Sequence, residues 1–323
     1  MRKLKRVLIV LLTAYCLLHT PVLAQAQAGT DVAVLKAGVG ARPLGMGSAF
    51  TAIANSADAP YWNPAGLGWV SSSEITTSQT KLSTDADHYY VSFVRPAFGG
   101  ALGVSWIQVG LGDIEINPSR EVVWRNMNEV QPLGIFNYFS NAYLLSWGRK
   151  LSDRVAIGLT GKYLTSDMFG ISGGQAWGYS VTPGVLIKFG SLVSAGGVGK
   201  EKGRSAMTVG VKLDELINAQ QWGTGTIEQV PPKLRLGLAY QAPNPGVIAV
   251  DISQIIKSGY SPELSAGYEW SAAGLSLRVG YSDGGLTAGA GFTTGHARVD
   301  YAYVTQRALS VSNVHRVSLS GVW

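Results

Sequence analysis

From residue 71 onward, apolar and polar positions alternate along the chain with a period of two. In the run Trp177-Gly-Tyr-Ser-Val-Thr-Pro-Gly-Val-Leu-Ile-Lys-Phe189, the apolar positions are Trp177, Tyr179, Val181, Val185, Ile187 and Phe189. The intervening Gly178, Ser180, Thr182, Gly184 and Lys188 are small or polar, with Leu186 the exception. Such alternation gives a strand one greasy face and one polar face. Pro183 falls on the apolar row and is expected to mark a bulge.

The same pattern predicts strands near 71–81, 87–97, 100–110, 137–148, 154–165, 176–190, 204–213, 232–242, 246–255, 261–270, 274–282, 285–294, 296–306 and 311–323. Each has about ten residues, enough to cross a bilayer at a tilt of about 45°. Fourteen is an even number, as a bacterial outer-membrane barrel requires. With the C-terminus facing the periplasm, the even-numbered connections are short: Ala97–Gly99, Arg149–Asp153, Pro243–Pro245, Ser271–Ala273 and Gly295. The odd-numbered ones at 111–136, 166–175 and 214–231 are long, as extracellular loops are. The connection at 191–203 and the short Asp283–Gly284 break the rule. Aromatics sit where interfacial girdles belong, with Trp147, Phe189, Trp270 and Trp323 at periplasmic strand ends and Trp106 and Trp177 near outer ends. The fold class expected is therefore all-β: a transmembrane antiparallel β-barrel of about 14 strands.

The second face of each strand is mostly Gly, Ala and Ser, with sparse charges. Its rows hold Lys162, Lys188, Lys212, Lys233, Arg235, Arg278, Arg298 and Arg316 against Asp251, Glu269 and Asp300. A charge on the lipid face would cost about 2–4 kcal/mol at the midplane, so these rows face the lumen. Neighbouring strands are expected to pair Arg235 with Asp251, Glu269 with Arg278, and Asp300 with Arg316. Such a ladder braces the lumen; alternatively, a basic lining attracts anionic headgroups or carboxylates.

Composition supports a lipid-facing body. Only 14% of the 323 residues are charged, against roughly 25% in soluble domains, while 46% are hydrophobic and 41 are glycine. Disorder and collagen are excluded, the second because glycine has no triplet period. The N-terminus reads as a secretory leader spanning 1–28: Arg2, Lys3, Lys5 and Arg6, then the apolar run Val7–Leu18, then small residues with cleavage after Ala24, Ala26 or Ala28. Cys16, the one cysteine, lies within it, so thiol chemistry is not expected of the mature protein. The formal charge of +6 owes four positive charges to this leader, which removes the basis for a nucleic-acid reading.

Residues 29–70 do not alternate. Their Gly and Pro clusters suggest a compact plug of short helix and turns, and Asn63-Pro64 sets a turn. A barrel of this size encloses a lumen into which such a plug can go. The run Ala41-Arg-Pro-Leu-Gly-Met-Gly-Ser-Ala-Phe50, followed by Ala59-Pro-Tyr-Trp-Asn-Pro-Ala-Gly-Leu67, resembles the opening signature of the PorV/PorQ and UPF0164 proteins. Their wider superfamily holds the FadL-type transporters, whose N-terminal hatch carries a similar Asn-Pro-Ala-Gly. Leu277–Tyr281, Gly285–Phe292, Val299–Tyr303 and His315–Leu319 also match. The resemblance implies a fourteen-stranded barrel with an internal hatch over 29–70 and a barrel over 71–323. Hatch or gating roles would then fall to Arg42, Pro43, Gly45, Gly47, Trp62, Asn63, Pro64, Ala65 and Gly66. It further implies an accessory or docking role in type IX-like protein secretion and cell-surface attachment. The alternative is hatch-gated transport of hydrophobic small molecules.

Other motifs carry little. Gly38–Gly47 and Gly196–Gly199 lack the strand–loop–helix setting of a phosphate loop. Ser78-Gln-Thr-Lys81 lies in a predicted strand with no Lys-Thr-Gly partner. His88, His296 and His315 are too scattered for a metal site. No enzymatic activity and no cofactor are expected. Trp124 and Met127 in the 111–136 loop, and Ile217 and Trp222 in 214–231, are either a self-packed lid or a docking surface for a partner protein. Expected partners are outer-membrane lipid and, through the last strand ending on Trp323, the barrel-assembly machinery; secretion-system proteins or a hydrophobic ligand complete the set, with no nucleic acid.

Overall fold

A computed structural model describes residues 33–82, 86–116, 134–190, 206–242, 246–282, 285–305 and 313–323. Sixteen strands form one antiparallel sheet: β1 (Glu74–Lys81), β2 (Asp87–Ala97), β3 (Gly100–Ile116), β4 (Gly134–Lys150), β5 (Val155–Phe169), β6 (Gln175–Phe189), β7 (Ala206–Asp214), β8 (Ile217–Trp222), β9 (Ile227–Glu228), β10 (Lys233–Gln241), β11 (Gly246–Ile255), β12 (Glu263–Ala272), β13 (Leu275–Ser282), β14 (Gly285–Thr294), β15 (Ala297–Val304) and β16 (Val314–Val322). Strands β8 and β9 are a side hairpin, which leaves fourteen in the ring. The ring closes, because β1 pairs with β16 and β5 with β6. No described helix is long and apolar enough to cross a membrane.

Closure abolishes sheet edges, and the two faces then meet different media. On the outside, Leu145, Leu159, Tyr163, Val279, Leu286 and Leu319 are all exposed. Trp106, Tyr143, Tyr163 and Tyr179 stand opposite one another on β3 to β6 and form an outer aromatic row. At the other end Trp323 stacks on Phe93 with ring centroids 6.0 Å apart. Positive φ angles at Phe98 and Gly99, and at Ala273 and Gly274, build tight two-residue turns at this end, a geometry that matches strand twist.

Several expectations need correction. Pro183 pairs in register with Leu159 and makes no bulge. It lies where the other neighbour of β6 changes: Val181 pairs with β8, and Gly184 with β7. The register shift occurs instead between Leu111 and Ile114 of β3. The region 214–231 is not a plain loop, since it contains the β8–β9 hairpin. The wall is also uneven. Strands β3 to β6 run 15 to 17 residues, whereas β10 to β16 run 8 to 10.

Candidate functional site

The inside of the ring is not an open cavity at the level of residues 38–67. This N-terminal stretch is almost wholly buried against the inward rows of the strands. It is built from α1 (Ala33–Lys36), α2 (Ala41–Gly45), α3 (Ala59–Trp62) and a 3-10 turn (Pro64–Trp69). The side chain of Asn63 accepts from the Ala65 amide at 3.1 Å, which caps the turn that Pro64 begins. Its amide nitrogen donates to the carbonyls of Thr51 (2.9 Å) and Val185 (3.3 Å), tying this turn to the rest of the segment and to β6. Trp62 donates to the Val39 carbonyl at 3.0 Å. Gly47 has φ 63 and lies against the backbone of Tyr281, where a side chain has no room.

Bonds to the wall run all round the ring. Tyr90 and Ser92 of β2 donate to the Ala57 carbonyl, and Thr160 of β5 to that of Pro60. Lys212 of β7 donates to the Tyr61 carbonyl, and Thr287 of β14 to that of Gly45. Asp251 of β11 accepts the amides of Phe50 and Thr51 at 3.0 and 2.9 Å. The inward glycines explain how the segment comes so close. Gly148, Gly158 and Gly184 stand opposite one another on β4 to β6, and a Cβ on any of them would overlap the Asn63–Pro64–Ala65 turn or its flanks. Gly210 and Gly237 do the same for Thr51–Ala52, and Gly267 and Gly280 for Met46–Gly47. Within the segment, Gly66 abuts the Ala54 carbonyl. Leu186, the exception to alternation, is an inward residue packed with Ala65 and Ala156.

The charged ladder residues all lie on inward rows, but the pairing differs from expectation. Glu269 does bind Arg278 at 2.5 Å, and it also receives Arg42 of the N-terminal segment through Nη2 at 2.8 Å and Nε at 2.9 Å. Asp300 pairs with Arg278 and Arg298, both at 2.8 Å, and not with Arg316. Arg298 reaches Glu74 at 3.2 Å. Arg235 pairs with Asp214 at 2.9 Å and not with Asp251, whose Oδ2 takes the two backbone amides. Asp214 also receives Lys212 at 2.6 Å, while Lys162 binds Glu215 at 2.5 Å. Lys233 pairs with Glu263 at 2.8 Å, and Lys188 stands 3.7 Å over the Trp69 ring. Glu74, Asp214, Glu215 and Glu263 lay outside the sequence reading, although the inward parity of the first and last was legible.

The interior is two-sided. Opposite most of these charges, Tyr90, Val94, Ile107, Val109, Leu144 and Leu164 of β2 to β5 form a buried apolar surface with Val34, Val39, Phe50 and Leu67. Between them, Asp58 is 2% exposed, and burial pushes its carboxyl up to about 7, an effect that the charge of Arg298 opposes. On the tall wall, near the β8–β9 hairpin, a depression of about 780 Å³ is lined by Gln108, Phe139, Asn141, Asp167, Trp177 and Trp222 among others. Trp222 thus lines a wall depression; Trp124 and Met127 lie outside the described residues, as does the leader. Among the described residues no cluster of His, Cys, Asp and Glu is arranged to hold a metal.

No protein-family profile matches the chain, and no curated protein matches it in sequence. Solved structures do match its fold. The toluene transporter TbuX of Ralstonia pickettii is 15% identical with a TM-score of 0.57, over 88% of this chain and 97% of that one. CymD, a monoaromatic hydrocarbon channel, is 13% identical with a TM-score of 0.59, over 91% and 99%. A FadL homologue of Pseudomonas aeruginosa is 11% identical with a TM-score of 0.53, over 92% and 99%. The chain therefore has the closed fourteen-stranded fold of FadL-type outer-membrane barrels, an architecture consistent with a bacterial outer-membrane location.

Proposed function

We propose that this protein is a non-enzymatic channel for small hydrophobic compounds across the outer membrane, with residues 29–70 as its hatch and 71–323 as the barrel. The observation that carries this reading is the apolar inner surface of β2 to β5, covered by the N-terminal segment and set in a fold shared with hydrocarbon channels. Withdrawal of Val34, Val39 and Leu67 would bare an apolar track along one side of the lumen. Arg42, Pro43, Gly45, Gly47, Trp62, Asn63, Pro64, Ala65 and Gly66 hold the closed arrangement, and the charged side anchors it. The ring- and amide-lined depression on the tall wall offers a first contact to a compound arriving from the outer leaflet. In the same reading, the exposed ring of Trp323 at the end of β16 serves as the handle for barrel assembly. No observation favours the expected secretion-accessory role of the PorV kind.

The test is uptake by cells of a host lacking such channels, with the full chain expressed in its outer membrane. Labelled toluene should enter faster than in control cells, with no change for a polar solute of similar mass. Equal acceleration of both would mean a porin, and acceleration of neither would refute the channel.

A further inference from the structure

Buried charge inside the barrel is mostly shared out: Arg42, Arg278 and Arg298 among Glu269, Asp300 and Glu74, and Lys162, Lys212 and Arg235 between Asp214 and Glu215. Arg316 differs. It is 0% exposed, its Nη1 donates to the Gly38 carbonyl at 2.6 Å, and its Nε and Nη2 have no hydrogen-bond partner. Among the described residues it forms no ion pair.

Two strands away, His88 is also 0% exposed, and both of its ring nitrogens are unpartnered. On β1, which lies between them, Ser78 is buried with an unpartnered Oγ. The register brings the three together. His88 stands opposite Thr80, and the Thr80 hydroxyl is turned onto the carbonyl of His315, next to Arg316. Ser78 stands opposite Ser318, two residues from Arg316 on β16. All of these side chains lie on inward rows.

Such a patch is rich in donors: the free N–H groups of Arg316, one imidazole N–H and a hydroxyl, together with a positive charge that no carboxylate contacts among the described residues. Leaving a buried charge without a counter-charge is costly, and a single water cannot neutralise it or accept from all these groups. We propose that the wall of β16, β1 and β2, together with the Gly38–Gly40 turn, encloses a site for one small monovalent anion of chloride size. Its ligands are Arg316, His88 and Ser78. Bound there, the anion fastens the N-terminal segment to the wall through Arg316, independently of what the channel carries.

The competing arrangement is a water bridge from Arg316 to Asp58, whose unpartnered Oδ1 sits against Gly40 in the same turn. Crystals of the full mature chain grown in bromide would decide between them. The proposal expects an anomalous peak in contact with Arg316 and His88; an ordinary water there, or a water bridge to Asp58, overturns it. In detergent, replacing gluconate by bromide at constant ionic strength should raise the apparent melting temperature saturably, by roughly 5 °C at a hundredfold excess over Kd. Arg316→Met should abolish the response. A melting temperature independent of the anion in the wild-type chain would also sink the proposal, whether or not the variant folds.

Discussion

Gly237→Ala tests the seating of the N-terminal segment with the smallest possible change. A Cβ at Gly237 would stand 2.9 Å from the Ala52 amide nitrogen, 2.9 Å from the Thr51 Cβ and 2.6 Å from Asp251 Oδ1, where ordinary contact begins at 3.4 Å. The neighbours must therefore give way by about half an ångström or more, and they are poorly placed to do so. Asp251 is fixed by the amides of Phe50 and Thr51, the same stretch that the methyl group pushes. Overpacking costs about 1–3 kcal/mol. Weakening hydrogen bonds to a charged acceptor adds about 1.5–3 kcal/mol for each bond lost. The lower entropy of alanine in the unfolded chain returns about 0.4–1 kcal/mol. The net expectation is a loss of about 2–4 kcal/mol, borne by the N-terminal segment and not by the strand ladder. Gly161→Ala is the control, because that position points outward and its Cβ would meet nothing nearer than 4.0 Å. Conductance of the purified protein in planar bilayers should rise with Gly237→Ala and stay at the wild-type level with Gly161→Ala. Identical conductance and melting for the two variants would refute the close packing on which the reasoning rests.

Arg42→Met removes a two-pronged contact to Glu269 while leaving Arg278 on that carboxylate, so a loss of about 2–3 kcal/mol in thermal stability, with raised conductance, is expected. Asp58 has a carboxyl raised above 3.8, to about 7, so its seated state is favoured when protonated. That advantage fades as pH rises from 3.8 through 7, and conductance at pH 8 should exceed that at pH 5; Asp58→Asn should flatten the difference. Deleting Trp323 removes its paired backbone bonds with Ser73 and the stacking on Phe93, and less heat-modifiable, folded barrel should reach the outer membrane on an electrophoretic assay.

The barrel was legible because two media impose a parity on every strand. The bounds 87–97, 246–255 and 285–294 coincide with β2, β11 and β14, since lipid on one side and packed backbone on the other leave little choice of residue. Where a strand lies outside that contrast the signal fails: Ile217-Asn-Ala-Gln-Gln-Trp222 of β8 has polar residues on both faces. Pairing partners were harder to read, because they depend on stagger. Arg278 faces Glu269 in register and was found, whereas Arg235 faces Ser253 and Lys212, with Asp251 two residues away opposite Gly237. Nor does periodicity reveal what fills a lumen. The clue present in the sequence was the inward run of glycines, which marks a wall pressed against another backbone rather than against water.

The unequal heights of the wall divide the molecule into two regimes of exchange with solvent. At about 3.3 Å per residue, the tall strands carry their ladder roughly 20 Å farther than the low ones. Amides in that fringe open to water on both faces and should lose protons to deuterium early. Those around Gly158 and Gly237, sealed by bilayer on one side and by Thr51 to Ala65 on the other, should be the last to follow.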